Sequence, residues 1–330
     1  MPEVVALDLP PGRGFVDAIR AVWDTGDAVA PLDHRLPPPA VEAMLRALAP
    51  TRVVAADGAI TRVAGGRPAE DGDALVIATG GSTGEPRGVV LTHGALRSSA
   101  QASAARLGVD PRRHCWLACL PLAHIGGLGV VTRALLTETP VVVMPGFDAS
   151  EVSRMARDAE ATHVSLVATA LRRVDVQPFV AVLLGGAAPP AALPPNVVTT
   201  YGMTETASGV VYDGMPLDGV EVAIGDGSPG RGEAGEILIR APMLLRAYRD
   251  GSDPRVGGPD GRGGWLPTGD GGAVLGDGTV RVDGRLAEVI VTGGEKVWPA
   301  AVEQVIEADA AVSEAAVWKR PDPEWGERVV

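Results

Sequence analysis

The chain has 330 residues, a net charge of −12 and 46% hydrophobic residues. That length buries a large core and accommodates two domains, or one large domain with an appendage. The acidic surplus repels phosphate backbones and anionic membrane surfaces, so no nucleic-acid partner is expected, and an anionic ligand needs local positive groups.

Met1 to Phe15 is punctuated by Pro10, Pro11, Gly12 and Gly14 and has no basic stretch leading into an apolar one. No signal peptide is therefore expected. Every apolar run is interrupted before bilayer length, including the longest near Leu135 to Met144, so no membrane insertion is expected and a cytoplasmic location is the default.

From about residue 74, short β-branched runs alternate with longer helical stretches, the pattern of an α/β fold with a helix-covered parallel sheet. The predicted strands are Ala74 to Ala78, Cys115 to Leu120, Val141 to Met144, His163 to Val167, Phe179 to Leu184 and Val197 to Thr200. Helices are predicted over Thr92 to Leu107, with Thr92 as its cap, and over Ser150 to Ala159. The two cysteines, Cys115 and Cys119, share a strand face; they are too few for a metal site and too strained for a disulfide, so they read as reduced core thiols.

After Tyr201 the chain turns β-rich, with strands at Val220 to Ile224 and Glu236 to Arg240, then a hairpin from Ala273 to Val282 around Asp277-Gly278. Asp250 to Gly264 is dense in Gly, Pro and charge and reads as a surface loop. A last unit follows Arg285, read as strand Glu288 to Thr292, helix Pro299 to Ala308 and strand Glu314 to Trp318. Such a βαβ fragment cannot bury both faces alone, which implies docking on the larger part or a missing continuation. The expected division is a large domain over residues 1–284, made of helix-covered sheets and a β-rich subdomain, and a small, partial α+β domain over 285–330.

The strongest chemical signal is Ala78-Thr79-Gly80-Gly81-Ser82-Thr83-Gly84-Glu85-Pro86-Arg87-Gly88, directly after an apolar strand. Glycines admit close backbone approach, amides and hydroxyls donate to phosphate oxygens, and Arg87 neutralises charge. A Walker A loop places its hydroxyl residue after the cation, whereas Ser82 and Thr83 precede Arg87, so a Walker-type kinase or GTPase is disfavoured. Further on, Tyr201 can stack on a base, Thr204 can donate to a phosphate and Glu205 can hold Mg²⁺. Asp270 in Thr268-Gly269-Asp270 can accept from two ribose hydroxyls.

Taken in order, these segments resemble the adenylate-forming superfamily of acyl-CoA synthetases, luciferases and peptide-synthetase adenylation domains, from about residue 74 to the end. The loop Thr79 to Gly84 is similar to its phosphate-binding motif, with Arg87 where lysine is more usual. Leu120-Pro121-Leu122-Ala123-His124-Ile125-Gly126-Gly127 resembles its Pro-Leu-x-His-x-x-Gly segment, which implies a catalytic and acid-binding role for His124. Gly185-Gly186-Ala187-Ala188-Pro189 is similar to the adenine-side turn, and Tyr201-Gly202-Met203-Thr204-Glu205-Thr206 matches the Tyr-Gly-x-Thr-Glu core. By the same resemblance Gly202, Met203 and Thr206 line the ligands, Asp270 binds ribose, and Arg285 lies at the hinge and reaches the nucleotide. The usual pivot position carries Ala287, next to Glu288. Gly293-Gly294 resembles the loop that lines the pantetheine tunnel, with Lys296 beside it read as solvated.

The resemblance implies two steps. A carboxylate attacks the α-phosphate of MgATP and releases pyrophosphate, then the small domain rotates and the coenzyme A thiol displaces AMP. It also implies ATP, Mg²⁺ and coenzyme A as ligands, a small carboxylic acid as substrate, and a homodimer. The chain stops at Val330 before the segment in which the family carries its catalytic lysine, so weak adenylation is expected. Within the superfamily, Tyr212-Asp213-Gly214-Met215-Pro216-Leu217-Asp218-Gly219 is most similar to actinobacterial o-succinylbenzoate-CoA ligases. An aromatic dianion calls for one fixed cation among apolar walls; Ser165, Thr169 and Arg173 are the candidates, and Arg173 would take the aromatic carboxylate. A ligase for another aryl or medium-chain acid, and a nucleotide- or acyl-adenylate-binding module without turnover, remain open.

Overall fold

The computed structural model describes residues 1–33, 35–80, 86–190, 192–225, 234–258, 261, 263–307, 309, 311–312 and 314–330. Residues ahead of Asp73, for which the sequence pattern predicts no elements, build half of the first large sheet. Its strands run Ala247–Tyr248, Pro86–Thr92, Asp73–Gly80, Ala28–Pro31, Val4–Asp8, Arg52–Ala55, Ile60–Arg62 in spatial order. Val4 to Leu7 are fully buried, which gives a short continuous apolar run rather than the alternation that marks a half-exposed strand. Asp73–Gly80 and Pro86–Thr92 pair antiparallel up to Gly80 opposite Pro86, so the predicted phosphate loop joins the tips of a hairpin.

The second sheet has the order Met215–Pro216, Ser208–Tyr212, Val197–Met203, Ala181–Leu184, His163–Leu166, Trp116–Ala118, Val141–Val143. The last five of these are mutually parallel, and Ser208–Tyr212 folds back antiparallel on Val197–Met203. Cys115 and Cys119 flank Trp116–Ala118 as free thiols, and burial pushes the Cys119 thiol up to about 12.

Helices His93–Leu107 and Ile125–Leu136 pack between the two sheets, inside the principal core that holds Leu7, Leu75 and Ile77 of the first sheet and Trp116, Leu183 and Val210 of the second. Thr92 caps the first of them, its Oγ1 accepting from the Ala95 amide at 3.1 Å. Its buried positions are small, including Ala95, Ser99, Ala100 and Ser103, which lets neighbouring elements approach closely. Ser103 hydrogen-bonds the Tyr212 hydroxyl at 2.8 Å, so the polar atoms this burial traps satisfy each other. Helix Pro38–Leu48 covers the outer face of the first sheet through Met44 and Leu48, and Ala149–Arg157 covers that of the second through Val152, Met155 and Ala156.

A third, antiparallel sheet contains Glu221–Gly225, Gly235–Arg240, Leu266–Val274 and Val280–Arg285, the last two joined through Asp277-Gly278 with Gly278 at φ 90°. The predicted β-rich part is this sheet. The final unit differs from its expected βαβ form. Ile290–Thr292, Glu295–Val297, Gly326–Val329 and Lys319–Asp322 make an antiparallel sheet, and helix Pro299–Glu307 contacts strand Val280–Arg285 of the third sheet. Glu314 to Trp318 is not a strand: the Ala315 and Val317 amides donate instead to Glu307 Oε1 at 3.2 Å and Glu303 Oε1 at 2.8 Å. Helix carboxylates thus take the donors a neighbouring strand would have used.

The unit docks on the rest of the chain. Arg172 pairs with Glu307 at 3.2 Å, Gln304 donates to the Pro189 carbonyl at 3.1 Å, and Trp298 covers Gly271 and Gly284. A Cβ at Gly271 would overlap the indole, so the absent side chain is what admits Trp298.

Candidate active site

Strand Val197–Met203 runs past the carboxyl ends of its parallel neighbours and enters the 3-10 turn Thr204–Thr206. Open α/β sheets bind ligands at such ends. The turn is tight because a Cβ at Gly202 would overlap the Ser208 carbonyl. Thr206 locks it: the hydroxyl contacts the Met203 carbonyl at 2.9 Å and the Ser208 carbonyl at 2.6 Å and accepts from the Met203 amide at 2.9 Å. Its side chain is fully buried, so the structure gives Thr206 a turn-holding place where the resemblance implies an acid contact.

On one side of this strand, Tyr201 donates its hydroxyl hydrogen to Asp270 Oδ2 at 2.8 Å. Asp270 stands directly opposite Arg285 in the third sheet, with Oδ1 3.2 Å from Arg285 Nε, and Arg285 Nη1 donates to the Thr268 carbonyl at 3.0 Å. Burial pushes the Asp270 carboxyl up, opposed by the Tyr201 hydrogen bond and the Arg285 charge. Burial, with the Asp270 charge next, also pushes the Tyr201 phenol up, so it stays protonated and remains a donor. Three residues expected at the base, the ribose and the hinge are therefore one connected group.

On the other side, Glu205 Oε1 accepts from the Tyr248 hydroxyl at 3.1 Å. The Arg87 guanidinium lies over the Tyr248 ring, 3.6 Å from its centroid, and donates to Ser252 Oγ at 3.2 Å. Burial, then the Glu205 charge, pushes the Tyr248 phenol up to about 12. Tyr248 is absent from the sequence-based site. Its signal was the Arg246-Ala247-Tyr248-Arg249-Asp250 run, an aromatic among charges just ahead of the predicted loop. Thr79 and Gly80 end the strand that leads into the phosphate loop, whereas Gly81, Ser82, Thr83 and Gly84 lie outside the described residues.

A cavity of about 160 Å³ opens beside Gly202 and Met203 and is also lined by Ser165, Val167, Gly186 and Ser208. Among the described residues its lining carries no charged side chain, unlike the fixed cation expected of it. Thr169 is exposed on the short helix Ala168–Leu171, and Arg173 lies exposed over the Phe147 ring at 5.5 Å; neither lines this cavity. Ala187 and Ala188 are exposed beyond Gly186.

His124 precedes helix Ile125–Leu136, exposed, with Nε2 3.9 Å from Asp33 Oδ2. Asp33 is buried and held bidentately by Arg35 at 2.8 and 2.6 Å, which keeps its carboxyl down at about 2. Both belong to the N-terminal region whose elements sequence reasoning did not assign.

In the C-terminal unit, Gly293 has φ 58°, donates its amide to the Trp325 carbonyl at 2.9 Å and lies against the Trp325 indole. Gly294 and Lys296 are exposed.

Among the described residues no three His, Cys, Asp or Glu side chains cluster closely enough to hold a metal ion. Mg²⁺ commonly takes one or two carboxylates and completes its shell with phosphate oxygens and water. Glu205, with one oxygen bonded by Tyr248 and a cationic Arg87 nearby, fits magnesium arriving with a nucleotide rather than a resident all-protein site.

The two large sheets around buried helices, the strand-end turn and the flanking Tyr201–Asp270 and Tyr248–Glu205 pairs define an adenylate-forming fold. Residues 61–249 match the AMP-binding enzyme family, and the chain belongs to that family. It is 37% identical over 287 residues to a probable 2-succinylbenzoate-CoA ligase of Mycobacterium tuberculosis, covering 80% of this chain and 72% of that protein. A 2-succinylbenzoate-CoA ligase of Geobacillus kaustophilus is 35% identical over 77% of this chain and 57% of its own length. Among solved structures, the o-succinylbenzoate CoA synthetase of Bacillus subtilis with the acyl-adenylate intermediate OSB-AMP superposes with a TM-score of 0.85 at 27% identity, covering 99% of this chain and 77% of that one. The same enzyme with ATP and magnesium gives 0.84 at 27% identity, over 99% and 78% of the two chains. No helix among the described residues is long and apolar enough to cross a membrane.

Proposed function

We propose that the chain is an ATP-dependent acid-thiol ligase that activates o-succinylbenzoate as its acyl-adenylate and transfers the acyl group to coenzyme A, a step of menaquinone biosynthesis. The observation that carries this reading is the turn Thr204–Thr206, set between the Tyr201–Asp270–Arg285 group and the Arg87–Tyr248–Glu205 group beside a cavity of acyl size. The names of the relatives supply the acid and the thiol.

In this reading a carboxylate oxygen of the acid bonds to the α-phosphorus as the bond to pyrophosphate breaks. The sulfur of coenzyme A then bonds to the acyl carbon as AMP leaves. Arg87 and the loop from Thr79 spread the charge of the polyphosphate, and Thr204 donates to the α-phosphate. Glu205 holds magnesium, which offsets charge on the phosphates. Tyr201, Gly186, Ala187 and Ala188 take the adenine, and Asp270 accepts from the ribose. Arg285 is the hinge of a mobile unit over residues 285–330, and Gly293-Gly294 admits the pantetheine arm after that unit turns. His124 stands at the acid's entry, and Ser165 and Gly202 face the acyl group. Arg173 and Thr169 reach the acid only through a change around Phe147, because they stand outside the cavity. The reaction belongs in the cytoplasm, where ATP and coenzyme A are held. A homodimer rests on the family resemblance, and light scattering of the purified chain tests it.

The deciding experiment is thioester formation with a panel of acids, in the native chain and in Arg173→Ala. Turnover of o-succinylbenzoate, with a KM raised at least about tenfold in the variant and little changed for benzoate, is the expected result. Turnover of benzoate without o-succinylbenzoate would move the chain to another aryl acid, as the uncharged cavity lining would then suggest.

A further inference from the structure

We infer that Tyr248 is a positioning residue that sets Arg87 and Glu205, the two opposite charges meant for magnesium and polyphosphate, in one fixed arrangement. This rests on the nucleotide-binding reading above and adds a residue to it.

The backbone places the ring. Tyr248 pairs with Val89 in the antiparallel register of Ala247–Tyr248 with Pro86–Thr92, so the two side chains share a face. Arg87 is two residues from Val89 and lies on that same face, diagonal to Tyr248. Its guanidinium accordingly rests over the ring at 3.6 Å. The Leu245 amide donates to the Glu205 carbonyl at 2.7 Å, which fixes the Thr204–Thr206 turn to the segment that carries Tyr248. One short strand therefore holds both partners.

The two contacts do different things. Without the ring, Arg87 has Asp250, 3.8 Å away, as a competing partner that would draw it off the loop. Stacking on an aromatic face keeps the cation in place while leaving in-plane donors other than the one bonded to Ser252 for phosphate oxygens. The hydroxyl contacts only Oε1 of Glu205 and leaves Oε2 for a cation, so it selects one carboxylate rotamer without neutralising it.

ATP affinity of the full chain, measured by calorimetry in EDTA and again with Mg²⁺, separates these roles without relying on turnover. Tyr248→Phe retains the ring, so its Kd in EDTA stays within about twofold of the native value, while the gain on adding Mg²⁺ shrinks roughly fivefold or more. Tyr248→Leu loses the stack too, and its Kd in EDTA rises by about two- to fivefold. Should that variant not fold, Arg87→Gln supplies the second arm: it must weaken binding in EDTA yet keep the magnesium gain. An undiminished magnesium gain in Tyr248→Phe, or unchanged EDTA affinity in the second arm, overturns the inference. Native chain that binds no ATP under either condition overturns the nucleotide reading with it.

Discussion

Asp270 is a carboxylate whose ionised form the fold disfavours, since burial outweighs its hydrogen bond from Tyr201 and the Arg285 charge. Its folded pKa lies above the unfolded one, so the cost is absent at low pH and develops as pH rises through the folded value. Asp270→Asn should therefore melt no lower than the native chain at pH 7, while ATP affinity falls at least about tenfold through loss of charge-assisted bonds to the ribose. Calorimetric titration and thermal unfolding check the two halves, and a lower melting temperature would mark Asp270 as a structural anchor. Asp33 behaves in the opposite sense. Arg35 holds it down to about 2 from 3.8, so its stabilisation is complete above the unfolded value and is lost as pH falls between the two. Asp33→Asn should lower the melting temperature at pH 7, and the difference from the native chain should close by about pH 2. Asp270 was singled out from Thr-Gly-Asp in its place along the chain. Asp33 was not, because its meaning depends on His124, 91 residues further on and 3.9 Å away.

The helix His93–Leu107 shows what local sequence settles. Thr92 was identifiable as its cap because cap chemistry needs only a hydroxyl and the amide three residues on, here the Ala95 amide at 3.1 Å. Thr92→Ala should cost about 0.5–2 kcal/mol, a fall of a few degrees in melting temperature measured by circular dichroism. The segment Glu314 to Trp318 shows the limit. Its pattern suits a strand, but Glu303 and Glu307 on helix Pro299–Glu307 capture its amides, and the strand forms instead at Lys319–Asp322. Likewise Tyr248 lies on a two-residue strand, too short to leave a periodic signal, and gains its place from pairing with Pro86–Thr92.

At the scale of the molecule, the contacts of the C-terminal unit among the described residues include Trp298 on Gly271 and Gly284, the Arg172–Glu307 pair and the Gln304–Pro189 bond. The ion pair is half-exposed on the Arg172 side and of the kind that contributes little by itself, so the indole is expected to dominate. Trp298→Ala should make residues after Arg285 cleave several-fold faster in limited proteolysis, with the main unfolding transition nearly unchanged. A large fall in that transition would instead make the unit part of one cooperative core.

The sequence by itself determined the family and the order of its motifs along the chain. The phosphate-type loop, the strand-end turn, Asp270 and Arg285 were each picked out from short local strings of a few residues. It also determined most strands after residue 74, since β-branched runs and their helical spacers report on themselves. Only the tertiary structure decided what those parts touch. Tyr201 reaches Asp270 across 69 positions and Tyr248 reaches Glu205 across 43, and no period or spacing encodes such contacts. The fully buried N-terminal strands lacked alternation, the C-terminal strand moved to where donors were left free, and the cavity beside Gly202 has no charged side chain in its lining among the described residues, each because burial and partner supply are set by the packed whole.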